Sequence, residues 1–454
     1  MPLEIGDPKR DTIYARATGQ PEIERVEFTT AEKPGRLVLD PRLLAHDWDM
    51  LDNRERRAVV GRAAWKIRLD DPFRETARRD RLVRAWLPVG WYNDPGGITV
   101  GLRERSNYLG SYDRGLLVGS VATRQGASNR AGFYARWSNP ARHLLPRTET
   151  TVAAWAIEGR AGVALAVDRS LRRHPTFGAD PHVGFAALWM ATTDVGYLDP
   201  RLWDDAGTVE AGPSISTSTA VHGGSAVLRA QLGARGGVVY WNPGAGVVSA
   251  DRYDVEPFAR ATGEASLRAP FLLGTSLGLR AFAGGYLGSS NPVKQRRITI
   301  AGADPYQTFT NPLLRSRGAL FVRPDFHYQA PGGANLRAFR NDLAGRWALA
   351  LNTELSRAVF RRQQGILREV ALEGFCDVGL VDSLAVTPSP NGRWYSQLHD
   401  LGAGVVTRQR IGDLAWTMRA EFPLEMNGWH LAPDFHPPGK RVAFRWLVSL
   451  EPSF

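Results

Sequence analysis

From about Leu82 to the C-terminus, apolar and polar positions alternate with period two in segments of roughly ten residues, separated by Gly-, Pro- and Asn-containing breaks. That is the pattern of strands whose two faces meet different surroundings. The last segment is the cleanest: Val442, Phe444, Trp446, Val448 and Leu450 share one face, and Arg441, Ala443, Arg445, Ser449 and Glu451 share the other. Trp347, Leu349, Leu351 and Leu355 likewise oppose Arg346, Asn352 and Glu354. In 253–269, Ala259, Ala261, Ala265 and Leu267 oppose Arg260, Thr262, Glu264 and Arg268. The polar face carries charges of both signs, as a hydrated lumen would. A soluble sandwich shows the same alternation with the opposite meaning.

The spacing of the breaks distinguishes the two. Read backward from the C-terminus, 425–440 is long, 411–412 tight, 382–397 long, 360–365 short, 289–345 very long, 270–272 tight, 236–252 long and 222–223 tight. Short turns on one rim and long loops on the other mark membrane barrels, whose strand number is even in single bacterial chains. The expectation is an all-β fold: a transmembrane antiparallel β-barrel of about 16 strands over 82–454. Residues 1–81 read differently, as the tail of a periplasmic β-rich domain plus a linker. Strand-like runs at 25–29 and 36–40 are followed by a charged stretch, 52–81, that predicts an amphipathic helix with Val59, Ala63, Trp65 and Leu69 on its apolar face.

Composition narrows the setting. No run approaches the ~18 apolar residues of a membrane helix, so a membrane location requires a closed barrel, which alone among sheets satisfies its backbone in lipid. The net charge of +11 is spread along the chain in no recognisable patch, which argues for arginine-rich coding rather than nucleic-acid binding. One cysteine, Cys376, excludes an internal disulfide and is expected to face lipid as an inert apolar residue. Met1–Arg10 lack the apolar core of a secretory signal, so the signal is expected upstream of Met1, in a longer product.

Three local motifs add chemistry. The long loop contains Gly332-Gly333-Ala334-Asn335-Leu336-Arg337-Ala338-Phe339; a later strand reads Phe375-Cys376-Asp377-Val378-Gly379; and the chain ends on Phe454 after an alternating strand. Period-two counting puts Glu369, Glu373, Phe375 and Asp377 on the lumenal face and Val370, Leu372, Cys376, Val378 and Leu380 on the lipid face. A guanidinium at a loop tip and a carboxylate on a wall make a bidentate, charge-assisted anchor, and Gly379 leaves room for the loop.

These motifs resemble the bacterial surface-antigen superfamily, which includes outer-membrane assembly factors and two-partner secretion translocators. Its inward-folded loop carries apolar-Arg-Gly-aromatic at the tip and its wall carries F-x-D-x-G. Leu336, Arg337, Ala338 and Phe339 correspond to the first, with Ala338 departing from the usual glycine. Phe375, Asp377 and Gly379 correspond to the second, and Trp446 and Phe454 to the C-terminal targeting signal. The resemblance implies that 289–345 folds inward. It also implies an outer-membrane barrel that anchors or translocates a protein passenger or partner. Its partners would be outer-membrane lipid, the assembly machinery during biogenesis, and a client or fused N-terminal domain. The segment 1–81 lacks likeness to POTRA repeats. Val26-Glu27-Phe28 and Leu37-Val38-Leu39-Asp40-Pro41 faintly resemble the last β-domain of gluzincin zinc aminopeptidases, some of which carry such a barrel. The chain as the non-catalytic barrel of such a peptidase, or as a passive porin, are the alternatives. The nine histidines lack metal-ligand spacing, and no H-E-x-x-H, G-x-S-x-G, phosphate-binding or dinucleotide motif occurs. No catalytic residue, metal or cofactor is therefore expected. Trp189, Trp347, Trp416 and Trp446 could form an interfacial girdle or pack in a core.

Overall fold

The computed structural model describes residues 65–74, 82–108, 112–124, 130–140, 147–172, 178–221, 224–242, 255–288, 292–320, 328–340, 342–382, 395–427 and 446–452, and before these 2–6, 12–16, 27 and 36–39. The early strands are β1 (Pro2–Gly6), β2 (Thr12–Arg16), β3 (Arg36–Leu39) and β4 (Trp65–Leu69). There follow β5 (Leu82–Asn93), β6 (Gly97–Tyr108), β7 (Tyr112–Ala122), β8 (Ala131–Pro140), β9 (Thr148–Ile157), β10 (Arg160–Ser170) and β11 (Asp180–Thr192). Next come β12 (Ala206–Val221), β13 (Ala226–Trp241), β14 (Val255–Pro270), β15 (Ser276–Leu287), β16 (Ile298–Thr299) and β17 (Ala344–Gly345). The last are β18 (Trp347–Arg361), β19 (Leu367–Asp382), β20 (Tyr395–Ile411), β21 (Leu414–Met426) and β22 (Leu447–Pro452). Seventeen strands form one closed barrel, in the order β4 to β15 and then β18 to β22. From β8 to β22 neighbouring barrel strands pair antiparallel.

The chain divides into two compact units, one of Met1–Asp71, Glu75–Leu87 and Glu104–Leu116, the other of Pro72–Arg74, Pro88–Arg103 and Leu117–Phe454. In the first, β2, β1 and β3 make a separate small antiparallel sheet. β4 pairs parallel to β5, from Trp65 opposite Leu82 to Leu69 opposite Trp86, and buried Asp70 just beyond it accepts from Arg105 at 2.8 Å. The helix expected over 52–81 is therefore wrong at its centre. Trp65-Lys66-Ile67-Arg68-Leu69 is itself a period-two run, with Ile67 69% and Leu69 74% exposed on one side, and that alternation outweighs the looser helical spacing. Of the expected strand 25–29, only Glu27 lies within the described residues.

In the second unit the alternation carries the meaning a membrane barrel requires. Leu351 is 50% exposed while its neighbour Asn352 is buried, and exposed Leu372 and Val378 flank buried Glu373 and Asp377 on β19. Apolar side chains point out and charges point in, the inverse of a soluble sheet packed on a core. Trp189, Trp347, Trp416 and Trp446 all fall on the outward parity, with Trp189 and Trp446 among the exposed residues. Three of them sit at strand ends on the long-loop rim, as an aromatic belt does. The sorting of loops by rim holds from β11 onward but fails earlier. β9 and β10 meet in a two-residue turn on the long-loop rim, Glu158-Gly159, with both residues at positive φ. That is the signature of the tight hairpin turns that match strand twist.

The main apolar cluster lies inside the barrel. The segment between β15 and β18 folds inward, where β16 and β17 pair with each other. Ile298, Ile300, Ala334, Leu336, Ala338 and Phe339 are buried against Phe282, Ala348, Ala350, Val381, Leu398 and Met426 of the wall. Ordering a segment of this length costs about 1–2 kcal/mol per residue in backbone entropy. Apolar burial offsets part of that cost, and charged ties to the wall position the rest.

Candidate functional site

The loop tip is shaped by backbone conformations that few residues adopt. Gly332, Gly333 and Asn335 all have positive φ. A Cβ on Gly333 would lie 2.5 Å from the Thr299 carbonyl oxygen, so glycine is required there on both counts. Asn335 tolerates the left-handed region better than most side chains. From this tip Arg337 enters the lumen, 2% exposed. Its Nε donates to Asp377 Oδ2 and its Nη2 to Asp377 Oδ1, both at 2.8 Å. The remaining nitrogen, Nη1, reaches Glu421 at 2.9 Å, Glu354 at 3.1 Å and Glu373 at 3.4 Å. The guanidinium carbon stands 4.0 Å from the Phe375 ring centroid, a cation–π contact. Burial alone would favour the neutral form of Arg337. The bidentate Asp377, then Glu421 and Glu354, reverse this and hold it charged, with its pKa well above the ordinary value.

The loop-tip and wall motifs therefore converge on one place, and each small residue there has a job. A Cβ on Gly379 would approach Leu336 Cδ1 to 2.9 Å, so the strand must yield that space to the tip. Gly402 does the same for the Phe375 ring on the next strand. Ala338, where the resembling family usually has glycine, is fully accommodated: it is buried in the apolar cluster and its N–H donates to Asp400 Oδ2 at 3.1 Å. Asn352 cements tip to wall, donating to Asn335 O at 3.1 Å and Asp377 Oδ1 at 3.0 Å. Glu354, Glu373 and Glu421 bring their oxygens within 4.8 Å of one another, an arrangement that could hold a cation. The cations already there are Arg337 and Arg419, whose Nη1 lies 2.8 Å from Glu373. Trp446 is on the outer face, away from this site, and Phe454 lies outside the described residues.

Two further ties carried no motif. Glu158, in the β9–β10 turn, is buried and takes Arg315 Nε from the loop at 2.9 Å. It also accepts from Asn93 at 3.1 Å, Ser316 and Trp91 Nε1. Burial would raise the Glu158 pKa, but Arg315 and these donors more than cancel it, leaving the carboxyl below its usual range. Arg160 beside it stacks 4.4 Å from Trp203. On a third sector, loop Arg296 pairs with Glu210 of β12 and lies 3.7 Å from the Tyr306 ring, while Asp304 takes Arg260 of β14 at 3.0 Å. Asp304 also caps the short helical turn Pro305–Thr308 in a reciprocal box with Gln307. The loop is thus latched to three separated sectors of the wall.

No family model and no curated protein matches the chain. Among the solved structures similar to it are two from bacteria. One is CdiB from Escherichia coli, with 15% identity and a TM-score of 0.46 over 81% of this chain and 62% of that one. The other is BamA from Haemophilus ducreyi lacking POTRA domains 1-3, with 12% identity and a TM-score of 0.41 over 82% of this chain and 71% of that one. The chain thus spans less than two thirds of CdiB. At these identities no residue of the site is carried over from either.

Electrostatically, the Arg337 sector concentrates five wall carboxylates, Glu354, Glu373, Asp377, Asp400 and Glu421, around two guanidiniums, Arg337 and Arg419. A buried carboxyl group without its cationic partner is costly, so the wall holds the guanidinium that the loop delivers.

Proposed function

We propose that this chain is an outer-membrane barrel of the surface-antigen type that anchors or translocates a protein passenger or partner, its lumen closed by the inward loop. The observation that carries this reading is the buried, bidentate Arg337–Asp377 pair between loop tip and wall. Outward-facing leucines and valines and the tryptophans at the rims support a lipid setting. In this reading 1–81 is periplasmic and leads toward the passenger or partner. The three latches count against a passive porin, whose lumen is a standing aqueous channel. The test is to express the chain behind a secretion signal with a folded reporter fused before Met1. The reporter should fractionate with the outer membrane, and the barrel should show heat-modifiable mobility on gels. A reporter recovered in the soluble periplasm, with the barrel unfolded or soluble, would overturn the proposal.

A further inference from the structure

Beneath the loop tip, against the β13–β15 wall, lies a cavity of about 430 Å³, within the size range of small-ligand sites. Five arginines line it, and three of them are already engaged. Arg337 is held by Asp377, Arg280 by Glu264 at 2.7 Å, and Arg419 by Glu373 at 2.8 Å. The three glutamates that line it, Glu264, Glu354 and Glu421, are the partners of those same arginines. Arg229 and Arg268 remain: neither makes a salt bridge among the described residues, and Arg268 senses Glu354 and Glu373 only at longer range. Arg229 stands opposite Ser266 and Arg268 opposite Val227, so they lie diagonally on adjacent strands and on one face, close enough for long side chains to converge. Two buried polar atoms of lining residues also lack partners: Gln329 Oε1, in a residue 5% exposed, and Ser449 Oγ, in a residue 3% exposed. Gln329 is fixed there by its N–H, which donates to Val448 O at 3.1 Å.

We propose that this cavity binds a small oxyanion, a phosphate or a hydroxycarboxylate, through the guanidiniums of Arg229 and Arg268. Arginine's planar fork matches both kinds of oxygen pair. Ser449 Oγ donates to the anion, and Gln329 Oε1 accepts from a protonated phosphate oxygen or a ligand hydroxyl. Each orphaned atom thereby gains the partner its burial calls for. This inference is independent of any passenger, because it concerns the lumen of the barrel alone.

The test is titration calorimetry and thermal unfolding of the full chain in zwitterionic detergent. Inorganic phosphate and citrate serve as separate probes, at ionic strength held constant with sodium chloride. At least one probe should bind saturably and raise the unfolding temperature, since a ligand of the folded state alone stabilises it. Arg229→Gln/Arg268→Gln should weaken binding at least tenfold. Without ligand the double variant should unfold within a few degrees of the wild type, because it breaks no salt bridge, and the repulsion it relieves between two like charges offsets the longer-range attraction of Arg268 to Glu354 and Glu373. Arg268→Lys, which keeps the charge and loses the fork, should bind with intermediate affinity. The preference between phosphate and citrate tells which oxyanion class the cavity fits. Saturable binding by neither probe, as for a cavity filled by water alone, would overturn the proposal. So would binding that persists undiminished in the double variant, the mark of an adventitious ion only.

Discussion

Replacing Arg337 by alanine removes one side chain from a network of five carboxylates and leaves Arg419 as the remaining cation among them. Asp377, wholly buried, loses both charge-assisted donors and keeps Asn352 at 3.0 Å and the backbone N–H of residue 337 at 3.3 Å. Stripping one partner from a buried pair costs about 3–5 kcal/mol, against about 0–1 for an exposed one. The adjoining cavity can hydrate the orphaned carboxylates, which places this case near the lower end, at about 3 kcal/mol. At about 1.4 kcal/mol per decade, that raises the open fraction of the loop tip by about two orders of magnitude. The barrel strands keep their ladders, so the loss falls on the tip and not on the sheet. Amide exchange in detergent micelles separates the two. Ala334, Leu336 and Ala338, whose N–H groups donate to Thr299, Ile300 and Asp400, should lose about a hundredfold in protection, while β18–β21 amides stay protected. Arg337→Lys should recover part of the protection, since it restores the charge but not the fork. Unchanged protection at the tip, or equal loss at tip and strands, would refute the latch.

Three other outcomes follow. Glu158→Gln keeps the shape of the second latch and removes its charge, so protection of the loop around Phe309–Ser316 should fall while the tip is little affected. In the wild type the Glu158 pKa is depressed, so the latch contributes fully above the ordinary carboxylate value of 4.5 and is lost only as pH falls below it. Exchange at these residues followed from pH 7 downward should show the loss below 4.5 in the wild type and no step in Glu158→Gln. Leu351→Arg, on the outer face, should cost about 2–4 kcal/mol in folding into phospholipid vesicles at mid-depth, read by denaturant titration; an effect within about 0.5 kcal/mol, as for an exposed soluble site, would count against a lipid-facing position. Gly333→Ala should displace the tip by its clash with the Thr299 carbonyl and reproduce the exchange phenotype of Arg337→Ala.

The wall and the first latch were legible because both depend on short-range regularities. Period two assigns Asp377 and Leu372 to opposite faces without knowledge of the fold, and the tip and wall motifs each fit within eight residues. β4 was misread because a five-residue alternation is too short to stand out within a charged stretch that also offers helical spacing. The Glu158 and Arg296 latches were invisible for a different reason. Glu158 and Arg315 are 157 residues apart, and each alone is an ordinary charge; only the inward path of the loop brings them together. The two-residue turn that presents Glu158 is also what breaks the rim pattern of loops. A departure from that pattern was the available hint of a turn used for binding rather than for connection.

The central claim, a membrane barrel closed by a latched loop, is tested most directly by conductance in planar lipid bilayers, comparing wild type with Arg337→Ala/Glu158→Gln. The account expects both to insert, the wild type with low and rarely fluctuating conductance and the double variant with frequent, larger openings. Failure of either chain to insert, or indistinguishable conductance in the two, would contradict it.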